Sequence, residues 1–182
     1  MAPRYDGGDG LHTIEPRVTT RLRPAELGDA EAIAATLREA FAEFESLYTA
    51  AGFRATTPTP DQLRARWAEG PAWVAEHEGT VVGTVAAVPR PTEMYVRSMA
   101  VRPAARGLGI GALLLRTVEA AALAGRYSRL ALSSTPFLHA ALQLYQRHGF
   151  RRTGESDLFG TPLVLMSKEL SPPHSGHLEA GA

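Results

Sequence analysis

The sequence predicts a single α/β domain: a central, mostly antiparallel mixed sheet with helices on both faces. Three observations lead there. Seven segments read as strands and four as helices, in the order β-α-α-β-β-β-α-β-α-β-β, with no internal repeat. Two strand pairs meet at short glycine turns, the mark of antiparallel neighbours. The chain has 182 residues, 45% of them hydrophobic, which is enough for one sizeable core.

Val18–Arg23 alternates and is closed by Pro24, so it reads as a first strand. Asp29 is placed to cap a helix in which Ile33, Leu37, Ala40, Phe41, Phe44 and Tyr48 recur at helical spacing. Ala50–Pro60, with Gly52, Pro58 and Pro60, reads as a loop. Asp61 is placed to cap a short helix carrying Leu63 and Trp67, which ends at Gly70-Pro71. Trp73–His77 and Thr80–Val88 flank a Glu78-Gly79 hairpin turn. Pro89-Arg90-Pro91 turns the chain into a strand over Glu93–Val101. Ile110, Leu113, Leu114, Thr117, Val118 and Ala121 make one stripe of the next helix, which Gly125 ends. Arg129–Thr135 is a strand. A helix follows from Pro136, with Phe137, Leu138, Ala141, Leu142 and Tyr145 on one face and Gly149 as its stop. Phe150–Asp157 and Leu163–Lys168 pair around Gly160. Residues 1–16 and 171–182 read as disordered tails around a domain over 17–170.

Composition excludes several functions. There are 19 basic and 19 acidic residues, so the formal net charge is zero. No global attraction to nucleic acid or anionic lipid follows. The chain has no cysteine, which removes disulfides, thiolate nucleophiles and cysteine metal sites. His77, His139 and His148 lack metal-ligand spacing, and no metal is expected; His174 and His177 in the tail read as solvated. No signal peptide or apolar span stands out, so a cytoplasmic protein is expected.

The densest chemical signal is Val101-Arg-Pro-Ala-Ala-Arg-Gly-Leu-Gly-Ile-Gly-Ala-Leu-Leu114. A strand end, a basic turn and three alternating glycines lead into a helix, so several backbone N–H groups face outward at a helix N-terminus. That geometry suits a diphosphate. Gly107 to Ala112 also satisfies the dinucleotide pattern G-x-G-x-x-G/A. That pattern wants its glycines directly after a buried parallel strand and an acidic residue about 20 positions on. Here two arginines intervene, and the next strand ends Leu132-Ser-Ser-Thr135 without a carboxylate. No Gly-Lys-Ser/Thr follows, so the Walker pattern fails.

The stretch resembles the signature of the GNAT acetyltransferases, Val-x-Pro-x-x-Arg/Gln-Gly-x-Gly-x-Gly/Ala before a Leu-Leu helix. Val101, Pro103, Arg106, Gly107, Gly109, Gly111, Leu113 and Leu114 fill its positions. A second signature, Ala-x-x-Leu-Tyr-x-x-x-Gly-Phe, stands at Ala141 to Phe150. The resemblance runs from about Val18 to Leu170. It implies the GNAT acyl-CoA N-acyltransferase fold, with the strands over Glu93–Val101 and Arg129–Thr135 splayed at their C-terminal ends. It implies acetyl-CoA as cofactor, with its pantetheine along Met99, Ala100 and Val101 and its diphosphate on Arg106, Gly107, Leu108, Gly109, Ile110, Gly111 and Ala112. Homodimers are frequent in the family. The chain departs from it at Leu138, where the family often carries an asparagine that contacts pantetheine; Ser134, Thr135 and His139 are the polar groups nearby.

Acetyl transfer to an amine needs a neutral amine, oxyanion stabilisation and a proton for the leaving thiolate. The Met99 N–H is the expected oxyanion donor. Tyr145, a phenol protonated at neutral pH, is the expected general acid. Glu93 is the first candidate base, by sharing a strand face with Tyr95, Arg97, Met99 and Val101; Glu43, Glu45 and Asp157 are alternatives. The expected reaction is direct transfer to a primary amine, of a small molecule in preference to a protein N-terminus or lysine. A non-catalytic acyl-CoA sensor is the competing reading.

Overall fold

A computed structural model describes residues 20–170. Val18, both predicted tails and the tail histidines lie outside the described residues. Seven strands form one sheet: β1 (Thr20–Pro24), β2 (Ala72–His77), β3 (Thr80–Pro89), β4 (Met94–Val101), β5 (Arg129–Ser134), β6 (Arg151–Leu158) and β7 (Thr161–Glu169). Their order is β1-β2-β3-β4-β5-β7-β6, and every neighbouring pair is antiparallel except β4 with β5. The mixed, mostly antiparallel sheet is therefore as the sequence predicts. Both tight hairpins turn through paired positive φ angles, Glu78 (51°) with Gly79 (74°) and Phe159 (51°) with Gly160 (83°). Such turns match the right-handed twist of the strands they join.

Five helices cover the sheet: α1 (Ala30–Ala42), α2 (Ala50–Thr56), α3 (Pro60–Ala65), α4 (Ile110–Ala124) and α5 (His139–Arg147). On one face α1 buries Ile33, Leu37 and Ala40 against Val74, Val81 and Ala100. On the other, α4 buries Ile110, Leu114, Leu115, Val118 and Ala122 against Val85, Ala87, Val96 and Leu130. Tyr145 and Phe150, at the end of α5, complete this second core.

The helices differ from the sequence expectation at five points. The predicted loop over Ala50–Pro60 contains α2. Thr49 caps it by accepting from the Gly52 N–H at 3.0 Å, and Gly52 is needed for closeness: a Cβ there would stand 2.3 Å from Thr161 Oγ1. Second, α1 stops at Ala42 although the apolar stripe runs on to Tyr48. The aromatic residues beyond the stop turn toward one another and Phe137, with the Tyr48 and Phe137 rings edge to face at 4.9 Å. Third, Thr59 caps α3 in a reciprocal box with Gln62, so Asp61 is not the cap. Fourth, α5 starts at His139 because Thr135–Leu138 closes a turn, with the Leu138 N–H donating to Thr135 O. Fifth, Asp29 makes no cap bond to α1. Its carboxylate is taken by the Arg23 guanidinium at 2.7 and 2.8 Å and by the Glu26 N–H. The Arg23 contact holds Asp29 below the usual carboxylate range.

Candidate active site

The site begins where β4 and β5 stop pairing. They share only Met94↔Leu130 and Tyr95↔Ala131, and then diverge toward their C-terminal ends. The cause is a bulge in β4. Between the pairs Thr84↔Ala100 and Ala86↔Arg97, Val85 alone faces Ser98 and Met99. Ser98 adopts φ 51°. An extra residue bends its strand and leaves a peptide outside the ladder.

The bulge also reverses the alternation of side chains. Met94 and Val96 before it, and Met99 and Val101 after it, all belong to the core beneath α4. Glu93, Tyr95 and Arg97 therefore do not share a face with Met99 and Val101, which corrects the sequence expectation. Glu93 itself precedes β4. Its carboxylate lies 3.3 Å from both the Arg90 and Arg129 guanidiniums, at the closed end of the β4–β5 gap. The alternatives are also engaged elsewhere. Glu43 pairs with Arg106, Asp157 accepts from the Gly160 N–H, and Glu45 lines a separate cavity beside Arg38 and Arg54.

The diverging strands open a cavity of ≈ 550 Å³. Val96 to Met99 form one side, and Leu132 to Thr135 with Leu138 form the other. Phe41, Tyr48, Arg66, Glu69 and Phe159 close it from the α1 face. At the start of the gap, the Tyr95 hydroxyl and Ser133 Oγ are 2.6 Å apart, while Arg90 stacks over the Tyr95 ring at 3.7 Å. Ser134 and Thr135 are buried and line the cavity, and Thr135 Oγ1 has no hydrogen-bond partner among the described residues. His139 is exposed and does not line it.

Tyr145 reaches the cavity from α5. The residue is 7% exposed, its ring lies 5.9 Å from that of Phe150, and burial, with nearby Tyr95 adding to it, pushes the phenol up to about 12. The ordinary phenol value is near 10. Between those two values the unfolded chain ionises and the folded one does not. Tyr145's contribution to stability is therefore complete below pH 10 and is lost as pH rises toward 12. Urea unfolding of wild type and Tyr145→Phe from pH 8 to 12 should show the difference closing by about 2–3 kcal/mol over that window. A difference independent of pH would mean that the phenol is not desolvated.

The glycine loop adjoins the same strand end. Gly107 and Gly109 adopt φ 82° and 75°, and a Cβ on either would meet nothing within 4 Å. Gly109 is the residue from which α4 starts. The backbone N–H groups of Gly107, Leu108, Gly109, Ile110, Gly111 and Ala112 make no hydrogen bond with any described residue. Gly111 serves packing, since a Cβ there would come 3.0 Å from Leu144 Cδ2. Arg106 turns toward α1, donating to Ala40 O at 3.0 Å and pairing with Glu43. Arg102 binds Thr36 Oγ1 and Glu39. Both arginines brace the loop on α1, so the sequence-expected charge of Arg106 is already answered there.

Sequence reasoning missed the charged wall. Glu69 pairs with Arg97 at 2.5 Å, and Glu69, Arg97 and Arg66 all line the cavity. No motif marks them, because α3 and β4 meet only through the fold. Among the described residues there is no cluster of metal-ligating side chains and no helix long and apolar enough to cross a membrane.

Residues 35–150 match the acetyltransferase (GNAT) family. Over 118 residues the chain is 34% identical to N-acetyltransferase family 8 member 7 of Mus musculus, covering 58% of this chain and 52% of that protein. Over 97 residues it is 41% identical to N-acetylaspartate synthetase of Danio rerio, covering 52% of this chain and 34% of that protein. The chain thus spans about half the length, or less, of these curated relatives. Its fold is similar to that of the PaiA N-acetyltransferase of Thermoplasma acidophilum solved in complex with coenzyme A, with TM-score 0.71, 16% identity and coverage of 84% and 99% of the two chains. It is also similar to a GNAT family acetyltransferase of Elizabethkingia anophelis solved with acetyl-CoA bound, with TM-score 0.65, 20% identity and coverage of 83% and 98%. At these identities the structural likeness is one of fold. The family match takes in the bulged β4, the glycine loop and Tyr145 together, and the chain belongs to the GNAT acetyltransferase family.

Proposed function

We propose that the chain transfers acetyl from acetyl-CoA to the amine of a small molecule, by direct attack in a ternary complex. The observation that carries this reading is the run of partnerless N–H groups from Gly107 to Ala112, which adjoins a cleft reached by Tyr145. The loop fits a diphosphate: its N–H groups stand at the start of α4 without a partner among the described residues, and Gly107 and Gly109 leave open space where side chains would stand. The α4 dipole adds to the attraction. Acetyl-CoA supplies the activated acyl group as a thioester.

The protein's own groups divide the remaining work. The β4 edge left unpaired by the splay can hydrogen-bond an extended pantetheine arm as an added strand would. The Met99 N–H, at the bulge, would meet the oxygen that gains charge, and such a donor is worth about 3 kcal/mol. Tyr145 donates to the leaving sulfur. Glu69, the one carboxylate lining the cavity among the described residues, faces the incoming ammonium and takes its proton through water, in the place first considered for Glu93. The chain has no cysteine, so no acyl-thiol intermediate can form on it. A cleft of ≈ 550 Å³ walled by Phe41, Tyr48 and Phe159 has room for a small acceptor beside the pantetheine arm.

The test is ligand-dependent stability followed by transfer. A ligand that binds only the folded state at 100 times its Kd adds about 2.7 kcal/mol, so acetyl-CoA should raise Tm by roughly 5–10 °C for a domain of this size. Acetylated product should then appear from a panel of primary amines at a rate proportional to enzyme. An unchanged Tm would remove the cofactor assignment. A raised Tm without transfer to any amine would favour the acyl-CoA sensor.

A further inference from the structure

The acceptor wall of the cavity carries an unbalanced charge. Three charged side chains line it: Arg66, Arg97 and Glu69. Glu69 is already engaged by Arg97 at 2.5 Å. Arg66 is half-buried at the C-terminal end of α3, and its guanidinium makes no ion pair or hydrogen bond with any described residue. The other carboxylates of this region are committed elsewhere, since Arg64 takes both Glu31 and Asp61. A half-buried guanidinium beside a cavity, with no counter-charge among the described residues, can take an anion there.

We propose that the acceptor is an amine carrying a carboxylate, of which free α-amino acids are the simplest, and that Arg66 binds that carboxylate. The proposal rests on the acetyltransferase reading above and names the substrate class for it. The placement supports it. Arg97 precedes the Ser98–Met99 bulge, where the thioester carbonyl would lie, so the Glu69–Arg97–Arg66 wall stands beside the reacting position. Two residues of strand span about 7 Å, within the reach of an arginine side chain. A zwitterion answers the whole wall: its ammonium faces Glu69 and its carboxylate faces Arg66. A polyamine would instead meet two cations and one anion already paired. The walls around this polar corner are Phe41, Tyr48 and Phe159, which leaves apolar room for the rest of an acceptor.

The chemistry balances without another reactant. The acceptor ammonium loses one proton toward Glu69, the nitrogen forms the C–N bond and sheds its second proton to water as the C–S bond breaks, and the departing sulfur, hydrogen-bonded by Tyr145, takes one proton from water to leave as thiol, so one proton is released overall. The carboxylate on Arg66 takes no part in bond making; it fixes the amine and so selects the acceptor.

The experiment uses matched acceptors: α-amino acids, their carboxamides and the amines that lack the carboxyl group altogether. Wild type should prefer each acid over its amide and its amine by about 10- to 100-fold in kcat/KM, the worth of one charge-assisted pair. Arg66→Gln should raise KM for the acids by the same factor, leave the amides unchanged and leave KM for acetyl-CoA unchanged. Arg66→Lys should restore part of the loss, because it returns the charge without the fork. Tm of each variant checks folding. Equal or better turnover of the uncharged partners, or an Arg66→Gln loss shared by acids and amides, overturns the proposal while leaving acetyl transfer intact. If no acceptor is turned over, calorimetry of the same acids and amides on the CoA-bound protein decides. Acid-selective binding lost in Arg66→Gln upholds this site and fails the enzyme reading, and absence of binding fails both.

Discussion

Tyr145→Phe should lower kcat at least 100-fold while leaving the affinity for acetyl-CoA within a factor of two. A donor aimed at charge that develops in the reaction contributes about 10²- to 10³-fold, and this substitution removes one oxygen from a residue otherwise held by packing. The ring stays in the core beneath α4, with Phe150 at 5.9 Å, so the cleft keeps its shape. The value of about 12 for the phenol sharpens the chemistry. A thiol ionises near 8.5, so complete transfer from such a phenol to a free thiolate is uphill by roughly 5 kcal/mol. Tyr145 therefore acts while charge is building on sulfur, as a hydrogen-bond donor in a site of low dielectric, where that bond is strongest. Consequently no loss of activity assignable to Tyr145 should appear below pH 10, and any alkaline limb below that belongs to another group. Steady-state kinetics with calorimetric acetyl-CoA titration separates the two effects. Unchanged kcat in a folded Tyr145→Phe removes the role outright, and a parallel loss of acetyl-CoA binding reassigns Tyr145 to the cofactor site.

The helix that carries Tyr145, the turn that carries the glycines and the succession of elements along the chain are legible in the sequence. These features are local: period, turn chemistry and short-range spacing fix them. The failures share a different cause. Strict alternation along β4 puts Glu93 on the face of Met99, and the alternation breaks at Ser98, where a bulge with φ 51° reverses the parity. Nothing in Arg97-Ser-Met99 announces a bulge, since its requirement is set by β3 and by the need to part from β5. The helix α2 was hidden by Gly52, read as a breaker when its role is close packing on the β6–β7 turn. Arg66 and Glu69 lie outside every motif, and only the approach of α3 to β4 brings them to the cavity. A backbone feature such as the glycine turn is thus readable from the chain, while a cavity wall assembled across distant segments is not.

The glycine loop gives the second large effect. Gly109→Val should weaken acetyl-CoA binding at least 100-fold. Gly109 holds φ 75° at the start of α4, and a β-branched residue there is a genuine outlier, costing about 1–2 kcal/mol. Space is not the obstacle, because a Cβ would meet nothing within 4 Å. The valine must either accept the strain or rotate the peptides on both sides of it. Rotation re-aims the N–H groups that stand at the start of α4. Losing two charge-assisted bonds of about 1.5–3 kcal/mol each already exceeds a hundredfold in affinity. Gly111→Ala is the matched control. Its Cβ would press only on the mobile end of Leu144 at 3.0 Å, at a position already helical, so affinity should stay within about threefold. The decisive comparison uses acetyl-pantetheine, a donor without the diphosphate. If the loop binds the diphosphate, Gly109→Val loses most of its kcat/KM with acetyl-CoA and almost none with acetyl-pantetheine. An equal loss with both donors would mean that the valine disturbs the β4 end and the cleft, and that the diphosphate lies elsewhere.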